Sequence, residues 1–243
     1  MDLSFIIDPG NLNSTYELVD RSVKPLSTDY AVFRKEVEKQ MHWTALPALT
    51  AAANRHFGGG KDREQHLGAV FCVIYLSDRI HSLVKDVAEG QEHSLDLQFT
   101  IISGDYLFGR AMMLLTAING YRLLGDFADL ICMVNEGHTM HKTSNDDLGI
   151  MAKETASLYS YGFYTAAVMA EASLAECDLF KEIGLNIGMA MTLAGKGKTA
   201  QGLPYLEHAR VLLASAENNS SDLSRVIDQL IIEFNPQRKA VAL

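Results

Sequence analysis

Three ionisable side chains in one predicted helix have the types needed for acid–base chemistry. Asp78 and His81 are three residues apart, and Asp86 follows five residues later. Residues at i and i+3 share a helix face, so Asp78 and His81 would form a carboxylate–imidazole pair able to transfer a proton. A buried polar pair that only satisfies its own hydrogen bonds has the same pattern. The spacing therefore leaves a lyase or hydrolase site and a structural pair equally open.

His138 and His141 form a second pair at i and i+3, so one helix face could present both rings to a metal ion. Histidine pairs on polar helix ends are more often solvated, and we expect that here. We predict no metal site in this chain.

Two shorter motifs resemble ligand-binding sequences but lack a required residue. Asp146-Asp147 would need a further carboxylate for magnesium chemistry, and Ile150 occupies that position. Gly197-Lys198-Thr199 resembles the end of a phosphate-binding loop, but Leu193 stands where the opening glycine belongs. We interpret the first motif as a helix N-cap and the second as a turn between helices.

The elements that must position these residues are helices almost throughout. Apolar residues recur at steps of three and four, and alternating strand patterns are scarce. Ser, Asp or Asn precede several of these stretches and glycines follow others, as expected for helix caps. The predicted helices span residues 14–24, 28–42, 44–56, 62–88, 95–119, 121–142, 146–173, 176–194, 201–217 and 221–234.

This pattern predicts an all-α protein with a single domain over residues 1–243, a bundle of about ten helices. No segment has the composition of a linker, and no repeat of fixed period stands out. The segments from Gly68 to Leu76 and from Ile187 to Ala194 are apolar nearly all round, which places them in the middle of the bundle.

Composition and charge narrow the function classes. The 243 residues are 48% apolar and 21% charged with a net charge of −9, which indicates a globular chain and speaks against nucleic-acid or anionic-membrane binding. The longest apolar run, from Ala69 to Leu76, is far shorter than the ~20 residues of a membrane span. The acidic N-terminus lacks the pattern of a signal peptide. Cys72, Cys132 and Cys177 are predicted to be buried thiols, and we expect a cytoplasmic protein.

The most specific string in the sequence is Gly104-Asp105-Tyr106-Leu107-Phe108-Gly109-Arg110-Ala111. It resembles the Gly-Asp-Tyr/Phe-Leu-x-x-Arg-Ala helix of the trans-polyprenyl diphosphate synthases. Other pieces follow in that family's order: residues 80–86 look like its Leu-His-Asp-Asp-x-x-Asp motif, and residues 183–190 like its Phe-Gly-x-x-Leu-Gly-x-Ala helix. The resemblance covers about residues 40 to 205 and implies an isoprenoid-synthase-like helical bundle.

The departures from the family's pattern fall on its diphosphate-binding positions. Family members hold the allylic diphosphate through magnesium bound by two aspartate-rich motifs. In the first motif Ser82 and Leu83 replace the leading aspartates and only Asp86 remains. In the second, the expected aspartates align with Gly195 and Lys196. A hydroxyl or an isobutyl group cannot replace a carboxylate ligand, and a lysine repels magnesium. We expect no cofactor in this chain, and magnesium only in a catalytic partner.

Two cationic segments of the family are changed as well. His42-Trp43-Thr44 stands in place of the Gly-Lys-Arg segment that grips isopentenyl diphosphate, and Glu154 replaces the lysine before Thr155. Losing both metal motifs removes most of the electrostatic stabilisation of diphosphate departure. We therefore expect that this chain is not a prenyltransferase on its own.

This sequence keeps the helix-packing residues of the family but lacks its diphosphate-binding residues. In this it resembles the smaller, motif-less chain of heterodimeric prenyl diphosphate synthases, in particular the first component of heptaprenyl diphosphate synthase. The resemblance implies a non-catalytic, regulatory subunit of a complex that makes a medium- or long-chain prenyl diphosphate for quinone side chains, such as that of menaquinone. A catalytic synthase subunit would dock on the helix at 104–115 and its neighbour at 121–142. The candidate interface residues are Tyr106, Leu107, Arg110 and Met113.

Two alternatives remain open. The first is a homodimer that binds an isoprenoid or another lipid in an apolar channel. The second is a lyase or hydrolase on the same fold that uses Asp78, His81 and Asp86.

Overall fold

The elements of this chain are helical wherever the structure describes them. The structure, a computed structural model, describes Leu3 and residues 5–24, 28–84, 95–216 and 221–235. The elements in chain order are α1 (Pro9–Val23), α2 (Thr28–Glu38), α3 (Met41–His56), α4 (Lys61–His81), α5 (Leu95–Ala117), a 3-10 turn (Gly120–Leu123), α6 (Leu124–Thr143), α7 (Asp147–Met151), a π segment (Ala152–Ala156), α8 (Ser157–Met169), α9 (Leu174–Gly195), α10 (Thr199–Ala214) and α11 (Ser221–Phe234). With α7, the π segment and α8 counted as one continuous element, the described ranges contain ten helices and no strand, which confirms the predicted all-α class.

Short polar side chains begin several of these helices. The backbone N–H of Asn11 donates to Oδ2 of Asp8 at 3.2 Å, and Pro9 opens α1 five residues before the predicted start at 14. The N–H of Gly149 donates to Oδ1 of Asp146 at 2.9 Å, so the Asp-Asp pair caps α7 as predicted. These bonds satisfy N–H groups that have no partner within the helix.

The segment Gly197-Lys198-Thr199 forms the connection between α9 and α10. Gly197 has a φ of +73°, in the left-handed region that favours glycine, and Thr199 begins α10. The segment is a turn between helices, as predicted, and no strand precedes it in the described part of the chain.

α4 is the central helix of the bundle. Every residue from Leu67 to Asp78 is buried, and α4 packs mainly against α5, α3 and α1. Residues 187–193 of α9 are likewise buried, between α8 and α10. Both apolar segments therefore lie in the interior, as predicted from their apolar character on all sides.

The three cysteines are free, but their exposure differs. Cys72 and Cys177 are buried, whereas Cys132 is exposed, so the prediction of a buried thiol at 132 was wrong. α6 buries the face that carries Phe127 and Leu130, and Cys132 lies on the opposite face. In the part of the chain described here, no helix carries an apolar stretch long enough to cross a bilayer.

Candidate functional site

Charged side chains from α4, α6 and the π segment meet near the C-terminal ends of α4 and α6. The buried carboxylate of Asp78 accepts a hydrogen bond from Nε2 of His138 at 2.6 Å and one from Nε of Arg79 at 2.9 Å. On the other side, Nδ1 of His138 lies 2.9 Å from Oε1 of Glu154. Nε2 of His141 lies 2.8 Å from the same oxygen. We call these five residues the ion-pair network.

Local backbone geometry brings Glu154 between the two histidines. Glu154 lies in the π segment, and such one-turn interruptions of a helix often occur at functional sites. α6 approaches this segment at Gly137, where an added Cβ would lie 2.6 Å from Cγ of Glu154. Glycine at 137 therefore lets the carboxylate reach His138 and His141, which share one face of α6.

The network fixes the charges of its members. The hydrogen bond to Asp78 and the carboxylate of Glu154, 2.9 Å away, raise the pKa of His138 from 6.5 to about 9. Burial alone would raise the pKa of Asp78, but His138 and Arg79 together hold it below its usual value. Burial alone would also raise the pKa of Glu154, but the contact with His138 lowers this pKa below its usual value. At pH 7, His138 is therefore a cation between two carboxylates.

The described donors in this region do not fit a magnesium cluster. Ser82 and Leu83 carry no carboxylate, and both are exposed just beyond the C-terminal end of α4. The carboxylates of Asp78 and Glu154 are already paired with cations inside the network. Among the described residues, no group of three or more His, Cys, Asp or Glu side chains has the geometry to hold a metal ion.

A second polar cluster lies beside the network. Nδ1 of His42 and the hydroxyl oxygen of Tyr159 are 2.7 Å apart. Burial, and secondarily the charge of Arg79, lowers the pKa of His42 to about 4, so its ring is neutral at pH 7. Gly195 faces this ring, since a Cβ at 195 would lie 3.3 Å from Nε2 of His42. The segments that contain His42 and Gly195 align with two diphosphate-binding motifs of the family. Where they meet, they present a neutral imidazole and a glycine, and the exposed Lys196 is the next residue in the chain.

A cavity of about 350 Å³ opens between α4, α5 and α6. Its described lining is Ile74, Ser77, Asp78, His81, Val84, Ile101, Asp105, Phe108, Ile131, Val134 and Asn135. His81 and Asp105 belong to its polar end, with Nε2 of His81 3.4 Å from Oδ1 of Asp105. An added Cβ at Gly104 would lie 2.4 Å from Nε2 of His81. The imidazole of His81 can therefore pack against α5 only because residue 104 has no side chain.

The structure gives the acid–base candidates different partners. Asp78 contacts His138 rather than His81, and His81 contacts Asp105. Asp86 lies outside the described residues. Sequence reasoning did not connect Asp78 with His138, which are 60 residues apart. The prediction that the histidine pair is solvated was wrong for His138, whose two ring nitrogens face the carboxylates of Asp78 and Glu154.

The four candidate interface residues on α5 differ in exposure. Leu107 is fully buried in the chain's own core. The hydroxyl of Tyr106 donates to the carbonyl oxygen of Ser22 at 3.3 Å, which ties it to α1. Met113 is 58% exposed, and Nη1 of the half-buried Arg110 lies 3.5 Å from its Sδ. Met113 is therefore the member of the four best placed to meet another protein.

Comparisons with known proteins agree with this architecture. No family model matches the sequence. A geranylgeranyl diphosphate synthase of Sulfolobus acidocaldarius is 24% identical over 168 residues, which cover 60% of this chain and 51% of that protein. The chain thus spans about half the length of the curated relative that it matches.

Solved structures resemble the chain over most of its length. A decaprenyl diphosphate synthase from Rhodobacter capsulatus superposes with a TM-score of 0.70 at 16% identity, covering 93% of this chain and 96% of that one. The geranyl diphosphate synthase small subunit from Antirrhinum majus gives a TM-score of 0.70 at 15% identity, covering 90% and 94%. At 15–16% identity, these superpositions show the fold alone. The chain has the all-helical fold of the isoprenyl diphosphate synthases.

Proposed function

We propose that this chain is a relative of the trans-polyprenyl diphosphate synthases that serves as the non-catalytic subunit of a heteromeric synthase. Its catalytic partner would make a medium- or long-chain prenyl diphosphate for quinone side chains. The observation that carries the proposal is the ion-pair network, in which the chain's own cations neutralise the carboxylates of Asp78 and Glu154. A diphosphate-binding site requires the opposite, carboxylates left available for a divalent cation.

The chemistry of diphosphate departure supports the same conclusion. The negative charge that develops on a leaving diphosphate must be stabilised by fixed cations or metal ions, which contribute several kcal/mol. At the positions aligned with the two metal motifs, the chain offers Ser82 and Leu83 on one side and Gly195 and Lys196 on the other. A single lysine at an exposed helix end supplies little of that stabilisation. The chain therefore needs a partner for prenyl transfer.

The surface of α5 and α6 fits a docking role. α5 exposes the large apolar side chains Ile102 and Met113, and α6 begins with the exposed Leu124. Farther along, α6 exposes Ala128 and Cys132, whose small side chains allow close helix approach. We call these five residues the α5–α6 face. α5 and α6 follow each other in the chain, joined by the 3-10 turn. Exposed apolar side chains that lie together on a surface mark protein-interaction sites more often than isolated ones do.

The partner proposed for this face is a catalytic synthase chain of the same fold. The similar structure from Antirrhinum majus is itself described as a small subunit, which supports a subunit role for a chain of this architecture. A stable interface buries about 1,600 Å² in total, or about 800 Å² on each partner, which two helices of this length can supply.

Docking is tested by co-purification of this chain with candidate catalytic synthase chains. We expect a stable complex with one of them, and we expect Met113→Glu to weaken it at least tenfold, because a charged carboxylate would replace an apolar side chain in the interface. Val211→Glu is the matched control, since Val211 is 64% exposed on α10, away from the α5–α6 face. If both variants bind equally well, the α5–α6 face is not the interface.

A further inference from the structure

A further cavity lies at the opposite end of α4 from the ion-pair network. Its volume is about 430 Å³, and its lining includes Arg63 of α4, Tyr121 and Arg122 of the 3-10 turn, and Glu171 beyond α8. Arg63 and Asp78 are 15 residues apart, which is about 22 Å along a helix. The cavity is therefore a separate place in the fold, away from the network.

Two arginine side chains from distant parts of the chain meet at the C-terminal end of α8. Nη1 of Arg63 donates to the carbonyl oxygen of Met169 at 2.8 Å. Nη2 of Arg122 donates to the carbonyl oxygen of Val168 at 2.6 Å. The end of a helix carries about half a negative charge, so capping α8 offsets only part of the two positive charges.

The carboxylate in the described lining offsets little of the remaining charge. Oε1 of Glu171 lies 3.9 Å from Nη1 of Arg122, and the Glu171 side chain is 81% exposed, so water screens the pair. Two like charges at one cavity repel each other, and an anion between them removes that cost. In a chain with a net charge of −9, this pair of guanidinium groups is a local site for an anion.

The guanidinium group of Arg63 is held in place by the protein itself. Its Nε donates to Oδ1 of Asn54 at 2.7 Å. An added Cβ at Gly59 would lie 2.4 Å from its Nη2, so the group packs closely against the backbone of that glycine. A donor with a fixed orientation loses little freedom when a ligand binds. Within the described residues, one or two of the five N–H donors of each arginine are used, and the others are available to a ligand.

The backbone has an uncommon conformation at two places on the wall of this cavity. Among the residues that the structure describes, Asn119 and Glu171 are the non-glycine residues with a positive φ, at 61° and 59°. Both belong to the lining. A left-handed backbone is uncommon for a residue with a side chain, and such residues often occur at ligand sites. The two backbone exceptions thus coincide with the two arginines.

We infer that the cavity at the end of α8 binds a phosphate group, either as free phosphate or as a small phosphomonoester. The planar guanidinium groups of Arg63 and Arg122 match the oxygens of a phosphate, and Asn119 and Tyr121 supply neutral hydrogen-bonding groups beside them. The volume lies in the lower part of the range of ligand pockets, about 300–1,000 Å³, and leaves space for an organic group next to the phosphate. This inference does not depend on the proposed subunit function.

Calorimetric titration of the full chain tests the inference directly. The probes are sodium phosphate, glycerol 3-phosphate and sodium acetate, at equal ionic strength in a buffer free of phosphate and sulfate. We expect both phosphate probes to bind at least tenfold more tightly than acetate, because a dianion interacts with both guanidinium groups. Tighter binding of glycerol 3-phosphate than of phosphate identifies a monoester as the ligand, and equal or weaker binding identifies free phosphate. Phosphate binding no tighter than acetate binding would overturn the inference.

Two variants with opposite expected effects separate this site from binding elsewhere. Arg122→Gln should weaken phosphate binding at least tenfold, because it removes one cation while its amide can still donate to the carbonyl oxygen of Val168. Glu171→Gln should tighten phosphate binding at least threefold, because it removes the competing carboxylate. Unchanged affinity in both variants would refute the site.

Arg210→Gln is the matched control. Arg210 is 53% exposed, against 44% for Arg122, and it is likewise paired with an exposed carboxylate, that of Asp228. It does not belong to the lining, so its replacement should leave phosphate binding unchanged. Should Arg122→Gln fail to fold, the exposed Glu171→Gln decides the question. All titrations use the chain without a catalytic partner, so a negative result leaves the subunit proposal untouched, and failure to dock leaves the phosphate site untouched.

Discussion

Replacing His138 by glutamine should remove a large stabilising contribution and the pH dependence that accompanies it. The pKa of His138 is raised from 6.5 to about 9 by Asp78 and Glu154. At about 1.4 kcal/mol for each pKa unit, this shift corresponds to about 3 kcal/mol. The side chain is 30% exposed, so solvent screening reduces the expected contribution to about 2 kcal/mol.

The direction of the pH dependence follows from the raised pKa. The folded state binds the proton of His138 more tightly than the unfolded state does, so the contribution is fully present below pH 6.5. It declines as the pH rises and is lost above about pH 9. The wild-type chain should therefore exceed His138→Gln in stability by about 2 kcal/mol at pH 6, and by much less at pH 9.5.

Urea unfolding followed by far-ultraviolet circular dichroism at pH 6 and pH 9.5 measures both quantities. His141→Gln is the matched control, because it is on the same helix and contacts the same oxygen of Glu154 but is 55% exposed. We expect it to cost less than about 0.5 kcal/mol. If the difference between wild type and His138→Gln is the same at both pH values, His138 is not the cation that the network requires.

Three further predictions address other parts of the molecule. Gly188→Ala should destabilise the chain by about 1–3 kcal/mol, because the new Cβ would lie 2.7 Å from backbone atoms of Ala156 in the π segment. Gly109→Ala should stabilise the chain by up to about 1 kcal/mol in the same unfolding assay, because a Cβ at 109 would have no atom within 4 Å and alanine is the better helix former. Titration with a thiol reagent should modify one cysteine rapidly in the folded chain, the exposed Cys132, and all three after denaturation; two rapid equivalents would contradict the burial of the others. Since burial lowers the pKa of His42 to about 4, its imidazole NMR signals should not shift between pH 6 and 8, and a titration in that range would show that the ring is solvated.

Local signals in the sequence predict most of the helices. The apolar character of residues 68–76 and 187–194 on nearly all sides identified α4 and α9 as interior helices, because a helix without a polar face is buried. The cap at Asp146 followed from the preference of aspartate for unpaired N–H groups. The early start of α1 at Pro9 was missed because residues 9–13 carry no apolar periodicity, although Asp8 before a proline is itself a start signal.

The site was less predictable, because its contacts join distant parts of the chain. The partner of Asp78 is His138, and no local pattern relates residues 60 positions apart. The π segment that carries Glu154 has no distinctive local sequence. The exposure of Cys132 could not be predicted from its apolar neighbours in the sequence either. Those neighbours belong to α6, which buries only one face, and Cys132 lies on the other.

We propose that this chain takes part in prenyl transfer only as a subunit. The most direct test is a prenyl-elongation assay with magnesium on the purified chain, on a candidate catalytic synthase chain and on their mixture. We expect no elongation by this chain alone and longer prenyl products from the mixture than from either chain separately. Elongation of an allylic diphosphate by this chain alone would contradict it.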